Sequence, residues 1–226
     1  ALNGATVVLT FKAELLADAN IGAQGNTNTA KLSYTNINGY DDEGKPTTEE
    51  KKTPEDTVIV FTYEVDISKV TQDGEAKEGA EFKLEKLDKD GNVIKTWTVD
   101  PEANRFSFKG LDDGKYVLTE TKAPEGYLPA APVTFTVTAE HAITWNGENR
   151  SAVLTGLTGD VVTGKIAMEK LETAADKSAL TGSVKNAEEP IFEKKVVDIN
   201  DSDGKGESAP QDSADYDIGD DVPFVL

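Results

Sequence analysis

Three polar side chains fall where strand alternation otherwise puts apolar ones, and their types can form a covalent bond. In the run from Phe61, the residues Phe61, Tyr63, Val65 and Ile67 share a face, and the next on that face is Lys69. In GKYVLTET, Glu120 follows Tyr116 and Leu118; in ALTGSVKN, Asn186 follows Leu180, Gly182 and Val184. Strict alternation therefore aims a lysine, a glutamate and an asparagine at the core. Singly, each has an ordinary reading. Lys69 snorkels at a strand end, Glu120 makes an ion pair at the rim, and Asn186 opens a turn. Together they point elsewhere, because a buried ammonium and a buried carboxylate are each costly unless paired. Burial favours the neutral amine of a lysine, which can attack the side-chain carbonyl of Asn186. Glu120 as a neutral acid can polarise that carbonyl and shuttle protons. Ammonia leaves, and an amide joins the first and last strands.

The elements that must position these groups read as strands. VIVFTYEVDISKV is a long strand, AEFKLEKLD and NVIKTWTVD flank a turn at Asp90-Gly91, and RFSFKGL, GKYVLTET and APVTFTVTA follow. VVTGKIAMEKL and ALTGSVKN close the unit, with Ile166 to Ala175 open between a short helix and an edge strand. This spacing predicts an all-β protein built from immunoglobulin-like Greek-key β-sandwich domains. Upstream, Val7, Leu9, Phe11, Ala13 and Leu15 share one face of an expected strand, and a second alternating run extends from Ala30 to Asn36. Asn38 to Asp56 carries many charges and no apolar period, which predicts a linker or exposed connection. After Asn186, EEPIFEKKVVDIND begins as a strand and an acidic loop runs to Asp215. Ala1 and Leu226 both interrupt strand-like patterns, as in a piece cut from a longer chain.

Composition narrows the functions. Among 226 residues, 42 are acidic and 23 basic, a formal net charge of −19 that repels nucleic acid and anionic membrane surfaces. No stretch approaches the ~20 apolar residues that span a bilayer. The chain has no cysteine and one histidine, His141, so zinc or copper sites and Cys or Ser–His nucleophilic catalysis are hard to build. An exported β-protein without disulfides needs no covalent lock or one of another kind. No cofactor is expected, nor an enzyme acting on an external substrate.

At these residues the chain resembles a Cna protein B-type domain of Gram-positive pilins. YVLTETKAPEGY, from Tyr116 to Tyr127, is similar to that family's E-box, whose glutamate assists isopeptide formation; the resemblance puts that role on Glu120. The family's early-strand lysine falls on Lys69 in DISKV, and its last-strand asparagine on Asn186 in SVKN. GAEFKL and GLDDGKYVLTE fit as well, and the likeness covers roughly residues 54–188. The flanks resemble a fimbrial isopeptide-forming domain in two halves and reversed order. Residues 1–40, with GNTNTAKLSYTN, look like its last strands, ending in the acceptor Asn36; residues 189–226 look like its first strands. Lys194 shares a face with Phe192 and Val196, whereas Lys195 sides with Glu193, so Lys194 is the expected donor. Residues 41–53 would link the modules. The middle of the second module, with its acidic assistant, has no counterpart. Either the two module types alternate in a longer array, the reading we favour, or the ends of one permuted chain complement each other.

What the resemblance implies is a structural subunit or stalk of a Gram-positive pilus, extracellular and wall-anchored, joined to neighbouring pilins by sortase. The alternative is an adhesin for a host protein or glycan, with Asn38–Asp56 and Thr138–Arg150 as candidate binding loops. A secreted hydrolase would need a catalytic domain elsewhere. Other motifs weigh less. DINDSDGKG, from Asp198, misses the glycine a calcium loop requires. Trp97 and Trp145 read as packing residues, Asn149 opens a formal glycosylation sequon, and no LPXTG is found.

Overall fold

A computed structural model describes residues 6–145, 150–200 and 206–226. The chain divides into two compact units, Ala1–Ala187 and Glu188–Leu226. In the first, β1 (Asn26–Ala30), β2 (Ser33–Tyr40), β3 (Pro46–Lys52) and β4 (Asp56–Val60) precede β5 (Tyr63–Val70), β6 (Glu81–Leu87) and β7 (Val93–Thr98). Then come β8 (Arg105–Leu111), β9 (Gly114–Lys122), β10 (Val133–Trp145), β11 (Arg150–Thr163), β12 (Glu172–Thr173) and β13 (Ala179–Lys185). Among the described residues the one helical element is a 3-10 turn at Gly22–Gln24.

Strands β5 to β13 form an immunoglobulin-like β-sandwich. One sheet has the order β11-β10-β9-β6-β7, the other β12-β13-β5-β8. All neighbours are antiparallel except β13 and β5, the last and first strands, which run parallel. Alternation sends Tyr63, Val65 and Ile67 of β5 inward, toward a core shared with Leu84, Tyr116, Leu118 and Phe135 of the facing sheet. Tyr116 stacks on Phe135 with centroids 5.7 Å apart, and Phe82 meets Phe106 edge-on across the two sheets at 4.8 Å. Each such buried side chain contributes about 2 kcal/mol by leaving water. The β6–β7 turn is held by Asp88, whose Oδ1 accepts the N–H groups of Asp90 and Asn92, each at 2.8 Å. Gly91 completes it at φ +86°, a conformation that costs glycine little.

Several expected elements differ. The run Val7–Leu15 is not a strand: these residues are exposed and no ladder pairs them, and alternation alone cannot satisfy a strand's backbone groups. Residues 46–52, within the expected linker, form β3, which pairs with β2 in an exposed hairpin whose turn is tied by Asp41 Oδ1 to the N–H groups of Glu43 and Lys45. Polar, charged residues suit such a hairpin, since neither face is buried. Ala30 lies in β1 and Asn36 in β2, so the single run expected across them is broken. Thr138 to Trp145 is strand and not loop, paired with β11. Ile166 to Ala175 is a turn closed by the N–H groups of Ala167 and Met168 on Gly164 O, followed by the short edge strand β12.

In the second unit, β14 (Lys195–Val196) pairs with β17 (Phe224–Val225), and β15 (Ile199–Asn200) with β16 (Gly206–Glu207). The expected strand from Glu188 is present only as these short segments, and Ile191, Phe192 and Ile218 are exposed. Most of the calcium-like loop, residues 201–205, and Asn149 of the sequon lie outside the described residues. Among the described residues no cluster of three metal-ligating side chains occurs.

Candidate functional site

Lys69, Glu120 and Asn186 are 0%, 7% and 1% exposed, and with Thr62 they are the buried polar or charged side chains among the described residues. Three strands deliver them to one end of the sandwich. Lys69 is on β5 behind Ile67, Glu120 is on β9 behind Leu118, and Asn186 follows the last residue of β13. The parallel register sets Val184 beside Lys69 and Lys185 beside Val70, so Asn186 emerges where β5 ends.

Asn186 Nδ2 donates to Glu120 Oε2 at 2.8 Å, and the same oxygen accepts the Ala130 N–H at 2.7 Å. Glu120 Oε1 and Asn186 Oδ1 have no hydrogen-bond partner and are shut off from solvent. Unsatisfied buried oxygens are costly, and native proteins tolerate few of them. Lys69 Nζ donates to Val70 O at 2.7 Å. Burial pushes the Lys69 amine below the ordinary lysine value; the Glu120 carboxyl works against that, and the Lys77 ammonium adds to it.

One segment reaches all three. The Tyr127 ring lies 5.8 Å from Lys69 Nζ, the Leu128 N–H bonds to Ala187 O next to Asn186 at 2.9 Å, and Ala130 holds Glu120. On the far side Gln72 Nε2 donates to Asn186 O at 2.9 Å, and Lys185 N–H to Ala167 O at 2.9 Å. Asn186 is thus held through its own carbonyl, through the backbone of both neighbours, and through its side chain. Chemically, the arrangement puts an amine, a carboxyl group and an amide in a space closed to water.

Sequence reasoning did not single out Gln72, Lys77 or Ala130. Asp73-Gly74 is a hairpin signal that would have set Lys77 across from Lys69. The backbone donor at Ala130 leaves no side-chain signal.

The other two candidates belong to other elements. Asn36 is exposed on β2, opposite Glu49. Lys194, in the second unit, is exposed and its Nζ sits 4.0 Å from the Phe224 ring centroid. Trp97 packs at the core's edge, with Nε1 donating to Lys109 O at 3.0 Å.

Known proteins resemble the sandwich. Over 100 residues the chain is 35% identical to the pilus tip adhesin Cpa of Streptococcus pyogenes, covering 44% of this chain and 13% of that protein. It therefore spans a small fraction of that relative. BcpA, the major pilin subunit of Bacillus cereus, overlaps at 27% identity and a TM-score of 0.37, over 62% of this chain and 34% of that one. A C-terminal fragment of the pilus adhesin SpaC from Lactobacillus rhamnosus GG overlaps at 19% identity and a TM-score of 0.38, over 73% and 60%. Overlaps this partial carry nothing beyond the likeness itself. Residues 63–151, the segment that holds Lys69 and Glu120, match a SpaA prealbumin-like fold domain.

Proposed function

We propose that this chain is part of a Gram-positive pilus subunit, a rigid, load-bearing module locked by a self-made amide between Lys69 and Asn186. The observation that carries the reading is the bond from Asn186 Nδ2 to Glu120 Oε2 in a buried site that also holds a lysine. In this reading the neutral Lys69 amine adds to Asn186 Cγ, forming the Nζ–Cγ bond. The Cγ–Nδ2 bond then breaks. Glu120 takes the proton lost from Nζ and returns one to Nδ2 through Oε2, and Nδ2 leaves as ammonia. Once it holds the Nζ proton, the Glu120 carboxyl can also donate to the Asn186 carbonyl oxygen, which otherwise has no hydrogen-bond partner. The reaction is a single self-modification, with no turnover.

Intact mass tests it. For this bond the wild-type chain should lose one ammonia relative to its sequence, and Lys69→Ala should keep that ammonia. A wild-type chain at full sequence mass would sink the bond.

In the same reading the protein sits outside the cell, wall-anchored, and is joined to neighbouring pilins by sortase. A second reading, an adhesin for a host protein or glycan, is favoured by the likeness to a tip adhesin. Residues 1–40 and 189–226 are proposed as the two parts of a fimbrial isopeptide-forming domain, with Lys194 and Asn36 as its reactive pair. Support comes from apolar side chains exposed in each: Val7, Leu9 and Phe11 in one, Ile191, Phe192 and Ile218 in the other.

A further inference from the structure

Beyond β5 the chain doubles back through a tight turn. The Thr71 N–H bonds to Glu75 O at 2.8 Å, the Gly74 N–H bonds to Thr71 O at 3.1 Å, and Gly74 adopts φ +89°. Val70 bridges Ala76 antiparallel, and the Lys77 N–H donates to Lys69 O at 3.0 Å. That register sets Lys77 across from Lys69. Directly opposed residues of an antiparallel pair project on the same side, and like charges there are destabilising. Here the penalty is sharpened, because Lys69 is 0% exposed and Lys77 is half-buried. Both side chains also end over one ring: Lys77 Nζ is 4.8 Å and Lys69 Nζ 5.8 Å from the Tyr127 centroid.

Two ammonium groups so placed are a poor arrangement, and one ammonium beside one neutral amine is a good one. Lys77 is the closer to the ring and the more exposed, with the electron-rich face of Tyr127 beneath its Nζ. Lys69 has no water to stabilise a charge. The charged groups acting on it are Glu120 from β9, which favours the ammonium, and Lys77, which opposes it. We propose that Lys77 is a positioning residue that keeps Lys69 in its neutral, nucleophilic form, and that the Tyr127 ring holds Lys77 in place to do so. This rests on the reading of Lys69 as the nucleophile. It adds a residue to that site and a dependence on pH: bond formation should follow the fraction of Lys69 that is neutral, which Lys77 extends to lower pH.

The test follows bond formation from the start. Full-length chain recovered unfolded and unbonded from inclusion bodies is diluted to refold over a series of pH values. Samples are quenched at intervals and the loss of ammonia is read by intact mass, while tryptophan fluorescence reports folding. Lys77→Met keeps the apolar stem on the ring and removes the charge; Lys77→Arg keeps the charge. Lys77→Met should fold at the wild-type rate, bond roughly fivefold more slowly at neutral pH, and recover wild-type speed at higher pH. Lys77→Arg should track wild type throughout. Should Lys77→Met fold poorly, Lys77→Gln serves for the same comparison. Equal bonding rates at every pH would overturn the role of Lys77 alone. So would a slowing that is uniform across pH, since lost packing has no midpoint to move. A wild-type chain that never loses ammonia would instead overturn the bond, and this role with it.

Discussion

Asn186 and Glu120, 66 residues apart in the chain, are joined by a 2.8 Å hydrogen bond inside the sandwich, and each keeps one oxygen without a partner. A protein interior seldom leaves such atoms unpaired, because each forfeits its hydration for nothing. Chemistry that consumes the Asn186 amide and moves a proton through Glu120 gives both oxygens a use.

Removing the acid should therefore stop the reaction while sparing the fold. Glu120→Ala is expected to keep the ammonia that wild type loses at this site, with Lys69 and Asn186 unjoined. Loss of that ammonia from the variant, relative to its own sequence, would contradict the role of Glu120.

The bond should also stabilise. Linking residues 69 and 186 closes most of the sandwich into a loop, for which chain entropy suggests about 4–5 kcal/mol by analogy with a disulfide of similar span. Lys69→Met retains the buried stem and deletes the bond, so its thermal midpoint should fall well below that of wild type. Reductant should move neither, as the chain has no cysteine. Equal midpoints would show that no such lock exists.

Alkaline pH should weaken the sandwich through Tyr63. Burial, with Asp113 and Asp112 nearby, pushes its hydroxyl up to about 12 from an ordinary 10.0. A value raised in the folded state gives stability that is complete below the unfolded value and lost as pH rises through the folded one. The loss should thus fall between roughly pH 10 and 12 and reach about 2–3 kcal/mol. Tyr63→Phe should remove this part of the decline in denaturant melts, leaving that of Tyr116, which burial also raises. An unchanged alkaline slope would rule Tyr63 out.

For the flanks, the expected outcome is that the two parts meet, on one molecule or between neighbours; a branched Lys194–Asn36 peptide in tandem mass spectrometry of a tryptic digest would show that they are also bonded. Protected flanks in hydrogen exchange without that peptide would indicate docking with no bond. Rapid exchange throughout both would end the idea of complementary parts, since unpaired strand edges that find a partner become protected.

Much of the sandwich was legible in the residues because a strand's side chains alternate with an exact period of two. That rule tells which side of TYEVDISKV, KYVLTET and ALTGSVKN faces inward, and so which polar groups are carried into the core. The Asp90-Gly91 turn was legible too, from its turn residues, where local chemistry is enough. Alternation fails where structure depends on a partner strand. Val7 to Leu15 alternates as well as β5 does, yet has no ladder to join, while the charged residues 46–52 pair with β2 and become a strand. Only the tertiary structure decided what these groups touch, because β5, β9 and β13 are far apart in the chain and their register is set by packing. It brought the Glu120 carboxyl to the Asn186 amide, the Ala130 N–H to the carboxyl, and Lys77 beside Lys69. The sequence by itself determined which groups turn inward; neighbours drawn from distant strands decided what each of them touches.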